Sequence, residues 1–372
     1  MAPVPAHRPV GQARGIAANH DPALRSARLE AQLLTRRSAT SPEGVVDQLL
    51  AVQAQDARAV RLSIRSRSSV GSAAEVDAAL TERRTLVVGS LQRTTLHLVA
   101  AADYWWLHAL LTPRQRTTNA TRLRQEGVTE AQAERGASVI HDAVQLGPRT
   151  RADLRVVLDG AGVPTAGQAL PHVLHAAAMA GHVVRGPVVD GEHAFVDARS
   201  WLGDPPEEDR ADQLARLAER YLRGHGPAAP EDLVKWTGLA LGECRQAFAA
   251  VSDRTEPWGD GLVRLASGAA DPSADDLPEP RLLGGFDPIL HGWSSRTIFV
   301  PTDDGVVTSN GIFRPTALVR GRVVATWRLA SNRFTLVPLA TIPRTVLAAL
   351  EEDAAAVGRY LGVGPIAFAV AD

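Results

Sequence analysis

The chain opens with short apolar stretches at helical spacing, and a helix-capping residue precedes each of them. Asp21 and Ser41 are each followed directly by proline, which is favoured at the first position of a helix. Asp56 can cap a third helix. Ser72 with Glu75 three residues later has the spacing of a capping box and predicts a fourth. The pattern therefore predicts several short helices in succession.

Alternating and β-branched residues over 85–100 then predict two short strands. Short helices closed by a two-stranded ribbon are typical of a winged helix-turn-helix. The pattern recurs twice, and the openings "LGPRTRADL" and "HGPAAPEDL" match in outline. A second ribbon is predicted over 182–198, with a turn at Val-Asp-Gly-Glu, and a third unit ends in a single strand over 261–266.

These elements predict an α+β fold of three tandem winged helix-turn-helix units followed by a β-rich C-terminal part. The expected boundaries are a disordered tail at 1–20, a first unit at 21–127, a second at 128–205, a third at 206–270 and the C-terminal domain at 281–372. A Pro- and Asp-rich linker is expected between the last two, hairpin turns at "TDDG" and "RGR", and a closing helix over 343–361.

Composition indicates the cellular compartment and the class of partner. The single cysteine, Cys244, excludes an internal disulfide framework and is typical of a reducing cytoplasm. No apolar run has the length of a membrane span, so no membrane partner is expected. The net charge of −1 is unevenly distributed: residues 51–125 carry 11 Arg against 5 Asp and Glu, whereas residues 201–280 carry 8 Arg and Lys against 16 Asp and Glu. The basic part favours contact with a polyanion.

Two glutamines interrupt the apolar run "LLAVQAQDARAV", at Gln53 and Gln55. Residues two apart point away from each other on an α-helix, so both amides can serve one pocket only if the helix ends here. The spacing therefore predicts a helix-turn-helix junction at this point. Spacing alone also fits two ordinary helix-end glutamines that bond to backbone carbonyls.

Basic and polar residues suited to a phosphate backbone follow in two stretches. In "RTTLH", strand alternation would put Arg93, Thr95 and His97 on one face, which either contacts DNA or is a solvated wing. In "PRQRTTNATRLR", Arg114 and Arg116 either contact phosphates or belong to a solvated helix. Tyr104, Trp105 and Trp106 are adjacent aromatics and are expected in the core.

Four stretches resemble those of the winged-helix DNA glycosylase family typified by AlkZ and YcaQ: "LLAVQAQD", "LQRTTLHLVAAADYWWL", "LLGGFDPILHGWSSR" and "NGIFRPTALVRGRVVATW". The resemblance spans residues 49–327 and implies a C-shaped cleft over DNA. The Gln53-Ala54-Gln55 sequence resembles the Gln-x-Gln catalytic motif of the AlkZ type, which excises N7-alkylated guanines, including bulky adducts and interstrand crosslinks. Thr94 stands where a glycine is common in the family, and Ser294 and Ser295 where an aspartate often precedes the arginine.

The resemblance implies a monofunctional glycosylase in which Gln53 and Gln55 jointly orient one water. The implied partner is double-stranded DNA carrying an alkylated guanine, bound by a monomer. Lys235, the only lysine, lies in the acidic segment, so a Schiff-base lyase is not expected. A non-catalytic winged-helix regulator is the alternative.

The remaining candidate residues give weaker indications of a functional site. Asp287 and Arg314 either face the cleft or hold the C-terminal sheet in place. His172 and His175 stand three residues apart, but no cysteine or carboxylate cluster completes a metal site. Because no Gly-rich phosphate loop follows a strand, no nucleotide cofactor is implied.

Overall fold

The computed structural model describes residues 21–266, 278–301 and 305–371. The predicted tail, most of the predicted linker and most of the "TDDG" turn lie outside these ranges. Within them the fold is α+β. The helices are α1 (Pro22–Ala31), α2 (Pro42–Leu49), α3 (Ala57–Arg65), α4 (Ala74–Thr81), α5 (Tyr104–Leu111), α6 (Pro113–Gln125), α7 (Glu130–Gln145), α8 (Arg151–Gly160), α9 (Ala169–Met179), α10 (Ala198–Leu202), α11 (Arg210–His225), α12 (Pro230–Thr237), α13 (Leu241–Ala249) and α14 (Arg344–Leu361).

The strands form three sheets with the orders β1-β3-β2-β4-β5, β6-β7 and β12-β11-β10-β9-β8. The strands are β1 (Val52–Gln53), β2 (Leu86–Ser90), β3 (Leu96–Ala100), β4 (Val183–Val189), β5 (Glu192–Asp197), β6 (Thr255–Gly259), β7 (Leu262–Leu265), β8 (Arg281–Leu283), β9 (Thr316–Val319), β10 (Arg322–Ala330), β11 (Arg333–Pro338) and β12 (Ala367–Val370). In the described part of the chain, a group of helices followed by a hairpin thus occurs three times. That order agrees with the expected alternation, while the winged-helix assignment and the C-shape stay predictions.

The segment that carries the two glutamines is a short strand, so the predicted direct helix-turn-helix junction is wrong. Helix α2 ends at Leu49 because the next residue, Leu50, has a φ of 66°, which a helix cannot continue through. The chain then extends as β1 and pairs antiparallel with β3, with Gln53 opposite His97. The Asp56 carboxylate accepts a hydrogen bond from the Ala59 N–H and caps α3, as expected.

Two further predictions needed correction. The helix α4 begins at Ala74 with Ala73 as its N-cap, so Ser72 and Glu75 do not form a capping box; the Ser72 hydroxyl accepts from the Ala74 N–H instead. The third unit was expected to end in one strand, but β6 and β7 form a hairpin. The Pro- and Gly-containing sequence of β6 lacks the alternation that identifies a strand, and pairing with β7 supplies its hydrogen bonds.

The first two helical groups share one sheet. Strand β2 of the first hairpin pairs with β4 of the second, at Val88 and Arg185. The sheet therefore continues from the glutamine strand into the second group of helices.

Buried ion pairs fix the C-terminal part to α3 and the turn after it. Arg67 donates two hydrogen bonds to Asp287, and neither side chain is exposed (0% for each). Arg65 forms a second buried pair with Asp353 of α14. Gly284 lies so close to α3 that a Cβ there would stand 2.7 Å from the Ala59 carbonyl oxygen. These contacts bring residues after β8 beside the strand that carries Gln53.

Candidate active site

Gln53 lines a cavity of about 300 Å³. The cavity lies where β1, the turn between β2 and β3, helix α12 and the segments around β8 and β9 meet. Its lining residues are Gln53, Arg93, Thr95, Lys235, Leu290, His291, Trp293, Arg296, Gly311 and Phe313. We call this the Gln53 cavity.

The Gln53 cavity brings together all four stretches that carry the family resemblance. Every lining residue except Lys235 belongs to one of them, although they are far apart in the sequence. Gln53 comes from the first stretch, Arg93 from the second, His291 from the third and Phe313 from the fourth. The stretches therefore mark one place in the fold.

The Gln53 side chain is available to hold a small molecule. Gln53 is 7% exposed, and its backbone is fixed by the pairing of β1 with β3. Its amide makes no hydrogen bond to any residue in the described ranges. A carboxamide offers one acceptor and two donor hydrogens, so the group can orient a water or a substrate atom.

The charged residues of the Gln53 cavity are cations. Arg93, Lys235 and Arg296 line it, and no carboxylate does so among the described residues. Burial lowers the pKa of Arg93, whose guanidinium makes no hydrogen bond or salt bridge with a described residue. The Arg296 guanidinium lies 5.0 Å from the centroid of the Phe313 ring. This charge distribution suits an anion such as a phosphate.

Two buried histidines beside the cavity are neutral near pH 7. Burial is the largest cause and nearby arginines contribute, and together they lower the pKa of His97 to about 3 and that of His291 to about 4. The His97 Nδ1 lies 3.2 Å from the Thr95 carbonyl oxygen, and the His291 Nε2 lies 2.8 Å from the Phe286 carbonyl oxygen. Since a carbonyl only accepts, these ring nitrogens donate. His97 is thus not a cationic phosphate contact.

Gln55 lines a different cavity, which differs from the expectation of one shared pocket. The side chain is exposed, and its Oε1 accepts a hydrogen bond of 3.1 Å from the Leu96 N–H. This second cavity, the Gln55 cavity, has a volume of about 340 Å³ and lies between β2, β3 and α9. The two glutamines therefore stand at neighbouring cavities, with the start of β3 between them.

The strand alternation predicted for Arg93, Thr95 and His97 is wrong at its start. Arg93 and Thr94 form a turn with φ values of 47° and 62°, and β3 begins only at Leu96. The turn nevertheless places Arg93 and Thr95 on the Gln53 cavity, whereas His97 is buried behind it. Thr94, where the family favours glycine, thus has the backbone conformation that glycine adopts most easily.

The other predicted DNA-binding arginines do not line the Gln53 cavity. Arg114 lies 3.7 Å from the carboxylate of Glu243, and Arg116 donates to the Met179 carbonyl oxygen. Arg314 is exposed beside Phe313. Asp287, which was expected to be either cleft-facing or structural, is structural through its pair with Arg67.

Several residues of the site were not identified from the sequence alone. Lys235 was placed in an acidic segment, but α12 presents it to the Gln53 cavity. Arg296, His291 and Trp293 lie in a stretch that was recognised, yet no local pattern separated them from its buried residues. Ser294, which stands where the family often has an aspartate, donates from its hydroxyl and its N–H to Asp232.

Comparison with known proteins shows which family the chain belongs to. The family model described as DNA glycosylase AlkZ-like matches residues 46–360. The chain belongs to the AlkZ-like DNA glycosylase family. The matched range includes both glutamines and every residue of the Gln53 cavity. As a member of this family the chain is classed as a DNA glycosylase, which confirms the resemblance drawn from the four stretches.

One relative and one solved structure, both from Streptomyces sahachiroi, extend the comparison. An interstrand DNA cross-link repair glycosylase is 26% identical over 355 residues, which cover 90% of this chain and 95% of that protein. The solved structure of the DNA glycosylase AlkZ has a TM-score of 0.76 and 22% identity, and the match covers 94% of this chain and 99% of that one. The second comparison supports the fold. Among the helices in the described ranges, none is both long and apolar enough to cross a bilayer.

Proposed function

We propose that this chain is a monofunctional DNA glycosylase that releases N7-alkylguanine from duplex DNA, interstrand crosslinks included. The observation that carries the proposal is the Gln53 cavity. It presents an uncharged amide without a protein partner in the described ranges, surrounded by cations and without a carboxylate. The name of the Streptomyces sahachiroi cross-link repair glycosylase supports crosslinks as substrates.

Because no carboxylate lines the cavity among the described residues, the site favours a leaving group that needs no protonation. Alkylation at N7 gives guanine a formal positive charge, which weakens its bond to the deoxyribose. When that bond breaks, the electron pair goes to the base, which leaves neutral, and the sugar becomes an oxocarbenium-like centre. A general acid on the base then adds little, so the site needs only to place a water at the anomeric carbon.

Gln53 is the residue proposed to place that water. Its carbonyl oxygen can accept one water hydrogen while the amide donates to a substrate oxygen. A carboxamide has no useful pKa and cannot keep the proton. Once the water oxygen bonds to the anomeric carbon, it becomes strongly acidic and loses its proton to solvent. The balanced products are an abasic sugar, neutral N7-alkylguanine and a released proton.

Gln55 has a separate role in this proposal. Its Oε1 already accepts from the Leu96 N–H, so the side chain offers its amide hydrogens to the substrate from the Gln55 cavity. The shared water expected from the Gln-x-Gln spacing is therefore assigned to Gln53 alone. Gln55 would contact the base or its substituent from the Gln55 cavity, across the start of β3 from Gln53.

The surroundings of the Gln53 cavity suit double-stranded DNA. Arg93 and Lys235 can contact phosphates beside the lesion. The turn that links Val307 to Phe313 borders the cavity and carries Ile312, which is 51% exposed. An exposed apolar side chain on such a turn can insert at a base step in the minor groove. The protein is proposed to act as a monomer without a cofactor.

Lys235 makes the monofunctional assignment testable. A lyase forms a Schiff base between an amine and the sugar, and the amine must first lose a proton. Lys235 is exposed on a cavity whose charged lining residues, in the described ranges, are all cations. Lys235 is therefore assigned to phosphate contact.

The proposal is tested with duplex DNA that carries a single N7-methylguanine. Free base and abasic sites are measured by chromatography and by strand cleavage in hot alkali. We expect release of N7-methylguanine, and strand cleavage only after the alkali step. Tight binding to one undamaged sequence without release of any alkylated base would favour the regulator instead.

A further inference from the structure

The Gln55 cavity has the features of a second substrate site. It opens where the shared sheet is weakly paired: β2 and β4 pair at Val88 and Arg185, and the register of β4 against β5 shifts between Arg185 and Val188. Helix α9 covers the gap. The result is a space of about 340 Å³ whose mouth carries Gln55. This volume exceeds what a methyl group on a base would occupy.

A buried histidine in this cavity has an unused ring nitrogen. His175 is 8% exposed, and its Nε2 is buried without a hydrogen-bond partner in the described ranges. Burial, together with His172 and Arg185, lowers its pKa to about 4, so the ring is neutral near pH 7. Buried polar atoms in native proteins are nearly always hydrogen-bonded. The Nε2 atom is therefore open to a polar partner that enters the cavity.

Arg185 gives the cavity a positive charge. Burial lowers its pKa to about 10, which still leaves it protonated near pH 7. Its guanidinium lies 4.5 Å from the centroid of the Phe195 ring and makes no hydrogen bond or salt bridge with a described residue. Arg151 also lines the cavity, and no Asp or Glu does so in the described ranges. A group that accepts hydrogen bonds is therefore favoured over one that only donates.

Part of the lining is apolar, which favours an organic group over a phosphate. Val88, Leu96, Leu174 and Phe195 lie around the polar groups. A phosphate keeps most of its hydration at an open basic surface, whereas an unsaturated organic group gains from burial against such side chains. A flat group that bears a carbonyl can pack against the apolar side chains and accept hydrogen bonds from the polar ones.

The position of the cavity relates it to the chemistry. Gln55 and Thr94 line this cavity, while Gln53, Arg93 and Thr95 line the other. The two spaces thus meet across two short segments of chain. A substituent on a base held between them has access to the Gln55 cavity.

We propose that the Gln55 cavity is a subsite for the substituent carried by the alkylated base, and that it takes a flat, carbonyl-bearing unsaturated group. The inference rests on the proposed function. It makes this chain selective for bulky N7 adducts over simple methyl lesions. His175 and Arg185 are binding residues for the carbonyl oxygen, and the apolar side chains hold the ring.

The test fills the cavity and compares two lesions. Two otherwise identical duplexes carry N7-methylguanine or N7-(2-oxo-2-phenylethyl)guanine, and release is followed under single-turnover conditions. Because the lesions differ in intrinsic lability, each variant is compared with the unmodified protein on the same lesion. Ala178→Leu, at a lining position of α9, reduces the space. Ala180→Leu makes the same change at the exposed residue that follows that helix and serves as the control.

We expect Ala178→Leu to slow release of the phenacyl adduct about tenfold or more and to change methyl release less than about twofold. Ala180→Leu should change neither. Arg185→Met keeps an apolar stem over Phe195 and should also slow only the phenacyl adduct. Thermal denaturation establishes that each variant is folded.

If Ala178→Leu and Arg185→Met slow release of both bases equally, the inference is overturned, because a DNA phosphate in the cavity would give that result. Unchanged release of both bases would overturn it as well. If the unmodified protein releases methylguanine normally in those cases, the proposed function stands. If it releases neither base, the proposed function itself fails, and the inference with it.

Discussion

The buried pair between Arg67 and Asp287 gives a prediction that links stability to the site. Arg67 donates hydrogen bonds of 2.9 and 2.7 Å to the two carboxylate oxygens of Asp287, and both side chains are 0% exposed. The Ile289 N–H donates to the same carboxylate at 3.1 Å. Asp287→Asn keeps the size of the side chain but leaves the Arg67 charge buried without a counter-charge.

The magnitude follows from the burial. Removing one partner of a fully buried ion pair costs about 3–5 kcal/mol, since the other charge stays desolvated. At about 2 °C per kcal/mol for a large domain, the midpoint should fall by at least about 6 °C. The Asp204→Asn variant is the matched control: it breaks a pair with Arg199 whose side chains are 60% and 82% exposed. That change should cost no more than about 1 kcal/mol.

Thermal denaturation followed by circular dichroism at pH 7 measures both variants. Leu290 and His291 follow Asp287 and line the Gln53 cavity, so base release at a permissive temperature should fall as well. Replacing both partners, as Asp287→Asn with Arg67→Met, should recover part of the loss because no charge then remains buried. An Asp287→Asn midpoint within about 1 °C of the unmodified protein would refute the reasoning.

The structure supports four further predictions. Burial holds the pKa of His97 at about 3 and that of His291 at about 4, below the ordinary 6.5, so the unfolded chain takes up protons first as the pH falls. The free energy of unfolding should be highest above about pH 6.5 and should decrease towards pH 4, by up to about 1.4 kcal/mol per histidine per pH unit. A melting temperature that is the same at pH 7 and pH 5 would contradict this. The release rate itself should be flat between about pH 6.5 and 8.5, since no titrating base is used, and a bell-shaped profile would contradict that. Arg93→Ala should weaken DNA binding and lower the salt slope by about 1, whereas Arg114→Ala, paired with Glu243, should leave the slope unchanged; equal effects would contradict the assignment. Borohydride should trap no covalent DNA complex, and a complex lost in Lys235→Ala would show lyase activity.

Local sequence signals identified the elements better than the site. Asp21, Ser41 and Asp56 cap helices that begin where expected, because caps and prolines act within one turn of chain. The strand β1 was missed, since two residues cannot show an alternation and only pairing with β3 makes them a strand. The turn at Arg93 was assigned to a strand for a related reason: its alternation continues through residues that have positive φ.

The site depends on contacts between distant parts of the chain. Lys235 reaches the Gln53 cavity because α12 packs beside the segment that follows β8, which no charge count over a segment can reveal. The separation of Gln53 from Gln55 also depends on the sheet, in which the Leu96 N–H engages Gln55. The resemblance in four stretches did locate the cavity, because those stretches converge there.

The central claim is that the Gln53 amide alone places the water that displaces a positively charged base. Its most direct test is the single-turnover rate of N7-methylguanine release by Gln53→Ala, with DNA affinity and melting temperature measured on the same preparation. We expect a rate loss of about 100-fold to 1000-fold, comparable to removal of one transition-state hydrogen-bonding group, with affinity and melting nearly unchanged. A Gln53→Ala protein that releases the base at the unmodified rate would contradict it.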